Sequence, residues 1–321
     1  MADLASAFLL NNTASGWNKK HGGKVTAIAA EHNVTCHDVH NLKTIETALD
    51  HAANEGTKTL VVNGGDGTID AVVTLIRVKK MFADEPHLVF LPGGTTNMTH
   101  HAAGYKAAPD VIFSDFIKNS ADYTGKDLSP LSVDVDGGAR KVYGFFLGGA
   151  AIPRAILATR RTYHKKGLTS TASQILSVGG TLLKLARGMI DDHPVLQPQD
   201  VQYSYDEYHW RDVETVFFYL TTLPHLLLNF PGAAQGGMAY AGLTHPYQRF
   251  WCNLIRFWRS KPLSVMEPGF FHQTVDDTIY LKLRGGWTLD GELYDDPREK
   301  DKRIAMTVTR EKPVKILVRR T

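Results

Sequence analysis

The 321-residue chain is longer than one ordinary core requires, so two domains are expected. Its 43% hydrophobic and 21% charged residues exclude a disordered chain. A net charge of +3 excludes the strong charge excess of a dedicated nucleic-acid binder, yet suits an anionic substrate or an anionic membrane surface.

Cys36 and Cys252 are the two cysteines. They lie far apart and in no metal-ligand spacing, so neither a disulfide framework nor a zinc site is expected and a reducing cytoplasm fits. Met1 to Leu10 has no basic segment and no long apolar run, so no signal peptide is expected. No stretch reaches the ~18 apolar residues of a spanning helix, which makes any membrane contact peripheral.

Ala7 to Leu10 reads as a strand that stops in the turn-prone run Asn11 to Gly16. A helix follows with Val25, Ile28 and Ala29 on one face. Val34 to Val39 reads as a second strand, and Thr44 to Ala53 as a helix stopped by Gly56. Thr59 to Val62 is a third strand, ending at Asn63-Gly64-Gly65-Asp66-Gly67-Thr68, with a helix over Ile69 to Ile76. Leu88 to Leu91 is a fourth strand, ending at Pro92-Gly93-Gly94-Thr95-Thr96-Asn97. Strands alternating with helices imply a parallel sheet, and ligands bind at the carboxyl edge of such sheets.

The pattern changes after about residue 128. Leu131 to Val135 and Lys141 to Leu147 read as strands meeting at Asp136-Gly137-Gly138. Val213 to Thr222, Thr278 to Leu283, Ala305 to Val308 and Val314 to Val318 read as further strands. Helical stretches fall around Thr169 to Met189 and Tyr247 to Arg259. The fold class is therefore α/β: an N-terminal parallel-sheet nucleotide-binding domain over residues 1–127, then a β-rich, antiparallel and sandwich-like domain over 128–321. The last strand is free to return to the first domain.

Gly64-Gly65-Asp66-Gly67-Thr68 carries the strongest chemical signal. Its glycines let the backbone approach a phosphate closely and adopt positive φ. The following helix points free N–H groups and a positive dipole end at the same place, and Thr68 adds a hydroxyl. Asp66 would repel a phosphate unless a divalent cation lies between them or the carboxylate takes a proton from an attacking hydroxyl. Pro92 to Asn97 offers a second cradle in Gly94, Thr95 and Asn97. Each alone is also readable as an ordinary strand-to-helix turn. Asn11 to Gly16 is a third loop, weak by itself. The P-loop, dinucleotide, nucleophile-elbow and zincin patterns are absent.

Strand, Gly-Gly-Asp-Gly-Thr, helix, strand, Pro-x-Gly-Thr-x-Asn resembles the catalytic domain of the diacylglycerol kinase-like lipid kinases. Sphingosine kinases and, more distantly, NAD kinases are related to that family. Asn11-x-x-x-Ser15-Gly16 is similar to the family's first loop, and Asp290-Gly291-Glu292 to its Asp-Gly-Glu element. The resemblance implies an ATP- and Mg2+-dependent kinase acting on a hydroxyl of a lipid acceptor. It implies Asn12, Ser15, Gly64, Gly65, Gly67, Thr68, Gly94, Thr95 and Asn97 along the nucleotide. Asp66 would organise metal and phosphate, and Glu292 would act as general base or hold the nucleotide.

The sequence departs from the family at Asn12, where Pro is usual. It departs again at Ile69-Asp70-Ala71, where a carboxylate is missing or displaced to Asp70. Gln235-Gly236-Gly237-Met238 lacks the Asp of an accessory magnesium loop. A soluble acceptor and a nucleotide-binding regulator without turnover stay open as alternatives. Peripheral attachment to a membrane from the cytoplasm and no nucleic-acid partner are expected, with homodimerisation left open. The two basic, aromatic helical stretches either lie on a membrane or pack on the second domain's sheet.

Overall fold

The computed structural model describes residues 7–11, 18–94, 96–163, 194–226, 230–233, 237–247, 250–259, 269–296 and 302–320. The chain divides into two compact units. One comprises residues 1–130, 142–144 and 312–321; the other comprises 131–141 and 145–311.

In the first unit β1 (Ala7–Asn11) leads to α1 (Asn18–Glu31), β2 (Thr35–Asp38) and α2 (Leu42–Asn54). The start of α2 is set by a capping box: Asn41 accepts from the Thr44 N–H while Thr44 bonds back to the Asn41 N–H, satisfying donors that the helix leaves open. Ile45, Ala48, Leu49 and Ala52 of α2 are buried at the spacing of one helical face. β3 (Thr59–Gly64) is buried at every position, as a strand covered on both faces of a parallel sheet must be.

Next come α3 (Asp66–Lys79), β4 (His87–Pro92), α4 (Met98–Ala103), α5 (Pro109–Lys118) and β5 (Tyr123–Leu128). Pro109 starts α5, where the missing N–H of proline costs nothing. β17 (Val314–Arg319) completes the sheet, in the order β2-β1-β3-β4-β17-β5. β1, β2, β3 and β4 pair in parallel, β17 runs parallel to β4, and β5 is antiparallel to β17.

Two features differ from the sequence reading. The helix after β3 begins at Asp66 rather than Ile69, so Asp66, Gly67 and Thr68 form its first turn. Thr68 and Ile69 donate to the Gly65 carbonyl, and the favourable end of the helix dipole outweighs the low helix propensity of Asp-Gly. The strand expected over Lys141 to Leu147 is two strands, β7 (Arg140–Gly144) and β8 (Phe146–Ala150).

The second unit is an antiparallel sheet. Beside β8 and the first residues of β7 it holds β6 (Leu131–Val135), β9 (Gln199–Ser204), β10 (Arg211–Thr221), β11 (Met238–Thr244) and β12 (Phe270–Val275). β13 (Thr278–Arg284), β14 (Trp287–Leu289), β15 (Glu292–Tyr294) and β16 (Arg303–Arg310) complete it. Its main order is β15-β14-β8-β10-β9-β13-β16-β6-β7, with β11 and β12 branching from β10. Arg140 of β7 bonds Asp295 just after β15 at 2.7 Å. Its guanidinium lies over Trp287 and Tyr294, which stack at 4.4 Å. The two ends of the strand order therefore lie beside each other through these side chains.

Two helices belong to this unit, α6 (Ala151–Tyr163) and α7 (Phe250–Trp258). The stretch around Thr169 to Met189 lies outside the described residues. No described helix is long and apolar enough to cross a membrane.

Candidate functional site

The parallel register puts the ends of three strands at one level. Asn11 pairs with Asn63, and Gly64 with Pro92. Both described glycine loops therefore leave the carboxyl edge of the sheet side by side, where α/β sheets bind ligands. Asn12 and Ser15 of the first loop lie outside the described residues, as does Thr95.

The loops touch through bare backbone. A methyl group placed on Gly94 would sit 2.5 Å from the Gly65 Cα, and one on Gly64 would sit 2.6 Å from the Thr68 Cβ. Neither contact is tolerable for a real side chain. Gly64 and Gly65 are not in a left-handed conformation. The expected use of positive φ is thus replaced by close approach of loop to loop.

Backbone bonds seal the contact: the Gly93 N–H donates to the Gly64 carbonyl at 2.9 Å, and the Asn18 N–H donates to the Gly93 carbonyl at 3.2 Å. Asn18 also donates from Nδ2 to the Asn63 carbonyl. Asn97 closes the second loop by accepting from the Gly94 N–H at 2.9 Å and donating to the Gly94 carbonyl at 3.0 Å. It does so in the left-handed region, at φ 50°, which asparagine tolerates better than most residues.

Asp66 joins the two loops. Its carboxylate oxygens accept the N–H groups of Met98 (3.1 Å) and Thr99 (3.0 Å), the open donors at the start of α4. The buried ring of His100 lies 3.8 Å from Oδ1, edge-on to Phe90. Burial alone would push the Asp66 carboxyl up; the His100 ring and the Thr99 and Met98 N–H groups hold it below the usual carboxylate range. The group is therefore anionic at neutral pH. A carboxylate so stabilised is a weak proton acceptor but a good partner for a cation.

Each Asp66 oxygen retains a second lone pair. Mg2+ is typically bound by one or two carboxylates together with water and substrate phosphates, and Asp66 beside a glycine-lined sheet edge fits that donor set. Among the described residues no group of three His, Cys, Asp or Glu forms a protein-only metal cage. Among the same residues no side chain caps α3 at Gly65, which leaves the first N–H groups of that helix suited to an anion. Thr68 and Asp70 are buried in the first two turns of α3.

In the second unit Asp290 and Gly291 form the turn between β14 and β15, with φ of 46° and 89°. The Asp290 carboxylate accepts the Phe145 N–H at 2.6 Å, while its own N–H donates to the Phe146 carbonyl at 2.8 Å. Asp290 thus anchors the turn to the start of β8. Glu292 opens β15 with an exposed side chain. Of Gln235-Gly236-Gly237-Met238, the described part is Gly237 and Met238, and Met238 begins β11.

Sequence reasoning missed Asn18, Asn63 and His100. The signal for Asn18 was a polar residue opening a helix immediately after a Ser-Gly loop. That for His100 was a histidine three positions beyond the cap Asn97.

The diacylglycerol kinase catalytic domain profile matches residues 6–123. A Stenotrophomonas maltophilia protein described as a probable YegS-like lipid kinase is 28% identical over 137 residues, 36% of this chain and 43% of that protein. The match spans less than half of that relative's length. A crystal structure of a diacylglycerol kinase from Bacillus anthracis covers 97% of this chain and 96% of its own, at 14% identity and a TM-score of 0.60. Another crystal structure from that organism matches over the same shares with a TM-score of 0.63. At that identity the likeness is one of fold. Residues 6–123 are thus similar to a diacylglycerol kinase catalytic domain, and the fold of the chain resembles that of the solved diacylglycerol kinase structures.

Proposed function

We propose that the protein transfers a phosphoryl group from ATP to a hydroxyl of a lipid acceptor of the diacylglycerol or sphingoid type. The observation that carries this reading is the junction of two glycine loops through Asp66 at the carboxyl edge of a parallel sheet, within the stretch that matches the kinase domain.

The two loops and the start of α3 would receive the phosphates, with Gly64, Gly65, Gly67 and Gly94 giving backbone access. Thr68, Thr95 and Asn97, with Asn12 and Ser15 of the first loop, complete the nucleotide contacts in this reading. Mg2+, when bound with the nucleotide, supplies charge neutralisation between phosphate oxygens, and Asp66 is the residue that would hold it. Positioning and charge stabilisation account for most phosphoryl-transfer catalysis. The depressed carboxyl of Asp66 favours its metal role over a proton-accepting one. The proton of the acceptor hydroxyl falls to Glu292 in this scheme, an assignment that rests on the resemblance of Asp290-Gly291-Glu292.

Incubation of the purified protein with labelled ATP, Mg2+ and a fractionated lipid extract tests the reading, with mass spectrometry of the product. A phosphorylated lipid is expected. Transfer to water-soluble acceptors alone, or nucleotide binding with no transfer to any fraction, would overturn it.

A further inference from the structure

α4 carries two adjacent histidines in different surroundings. His101 is exposed. His100 is fully buried, and no hydrogen bond reaches either of its ring nitrogens. A neutral imidazole always carries one N–H donor and one bare acceptor. Enclosing both without partners costs free energy that an apolar side chain of similar size would not. Buried polar groups are bonded in the great majority of cases, so this exception has to be accounted for.

The backbone holds the ring in place. The His100 carbonyl accepts the N–H groups of Gly104 at 3.1 Å and Tyr105 at 3.0 Å, which closes α4 on a left-handed Gly104 at φ 108°. The ring stands edge-on to the buried Phe90. Nδ1 faces Asp66 Oδ1 at 3.8 Å, too long for a hydrogen bond but within about 1 Å of one. The two oxygens of Asp66 are therefore not equivalent. Oδ1 accepts the Thr99 N–H and faces His100. Oδ2 accepts the Met98 N–H alone among the described residues.

We infer that His100 is a positioning residue for Asp66: its Nδ1–H donates to Oδ1 when the carboxylate engages a divalent cation, and Oδ2 is the oxygen that takes the cation. A donor on the far oxygen fixes the plane of the carboxylate. Groups hydrogen-bonded to metal-binding side chains typically carry roughly a tenfold to hundredfold share of metal affinity. The competing account is an aromatic space-filler, since a ring packed on Phe90 needs no nitrogen at all. The inference rests on the metal role proposed for Asp66 and on no other part of the kinase reading.

Calorimetry of the full chain with a non-hydrolysable ATP analogue, in Mg2+ and in EDTA, separates the two. The wild type should bind the analogue more tightly in Mg2+. H100L nearly keeps the volume and removes the donor. It should bind like the wild type in EDTA and lose roughly tenfold or more of the gain from Mg2+. H100N places an amide N–H where Nδ1 stood and should recover most of that gain. The thermal stability of H100L should equal or exceed that of the wild type, because an unbonded polar ring gives way to an apolar side chain. In turnover, the Mg2+ concentration for half-maximal transfer should rise by the same factor as the lost gain.

A wild-type gain from Mg2+ in H100L would overturn the inference and leave the kinase reading standing. A loss in H100N as large as in H100L would also overturn it, because a donor at that position would then not be what matters. A lower Tm for H100L with the gain intact would make His100 a packing residue. If H100L does not fold, H100F repeats the test with an aromatic ring kept against Phe90. Failure of both to fold would overturn the inference in favour of a structural role. If the wild type itself gains nothing from Mg2+, the metal role of Asp66 falls and this inference with it, while transfer to the lipid fractions is judged by its own assay.

Discussion

Replacing Asp66 by Asn tests the junction of the two loops, because the carboxylate carries a structural and an electrostatic task together. It accepts two backbone N–H groups, at 3.0 and 3.1 Å, from the start of α4. Asn retains one oxygen, so one of those donors would face an NH2 group. The loss of a hydrogen bond to a charged acceptor, with a donor left buried, is worth about 2–3 kcal/mol. For a unit of this size that corresponds to a fall in Tm of roughly 5–10 °C. Loss of the anion should also lower phosphoryl transfer by at least ~100-fold. Thermal unfolding, nucleotide calorimetry and single-turnover transfer should be run on one preparation below the lowered Tm. A folded variant with wild-type turnover would refute the metal and phosphate role. An unchanged Tm would refute the capping role.

The carboxyl of Asp66 is held below its ordinary value in the fold, so its stabilising effect is complete above the unfolded value near ~3.9 and is lost as pH falls through the folded one. The stability gap between wild type and D66N, read by urea unfolding, should therefore close in acid and persist at neutral pH. Gly94→Ala should cost about 1–3 kcal/mol by overpacking, because its methyl would meet the Gly65 Cα; denaturant midpoints and nucleotide affinity should fall together. Thr95→Ala should weaken nucleotide binding by about 1.5–3 kcal/mol, the worth of a hydrogen bond to a charged group, and unchanged affinity by calorimetry would reduce the second loop to a turn. Glu292→Gln should collapse turnover while leaving nucleotide affinity nearly unchanged; an equal fall in both would make Glu292 a nucleotide ligand, and no effect on either would remove it from the site.

The centre of the parallel sheet was legible because β3 and β4 are buried on both faces and each ends in turn residues. Thr59 to Val62 and Leu88 to Leu91 are continuous apolar runs, and the structure extends each by one or two residues. The order of the sheet was not legible. β5 carries the polar run Tyr123-Thr-Gly-Lys-Asp-Leu128, which shows no alternation strong enough to mark a strand, and its pairing with β17 depends on residues nearly two hundred positions away. The break at Phe145 escaped notice for a similar reason. β7 and β8 are both apolar enough to read as one segment, while the contact that fixes β8 comes from Asp290, far along the chain.

Glycine patterns locate a loop without saying what the missing side chain makes room for. In Gly64-Gly65 and Gly93-Gly94 the sequence pointed to phosphate, and the resemblance pointed the same way. Within the protein, what the missing side chain of Gly94 makes room for is nonetheless the other loop, at the Gly65 Cα. The two uses are compatible: loops packed this tightly are pre-organised, so their N–H groups need not be ordered when a ligand arrives. Asp66 follows the same logic. Its charge looked out of place in a phosphate cradle because the N–H groups that stabilise it belong to Met98 and Thr99, more than thirty residues along the chain. With those donors in place the carboxylate stays anionic while buried, as the proposed metal role requires.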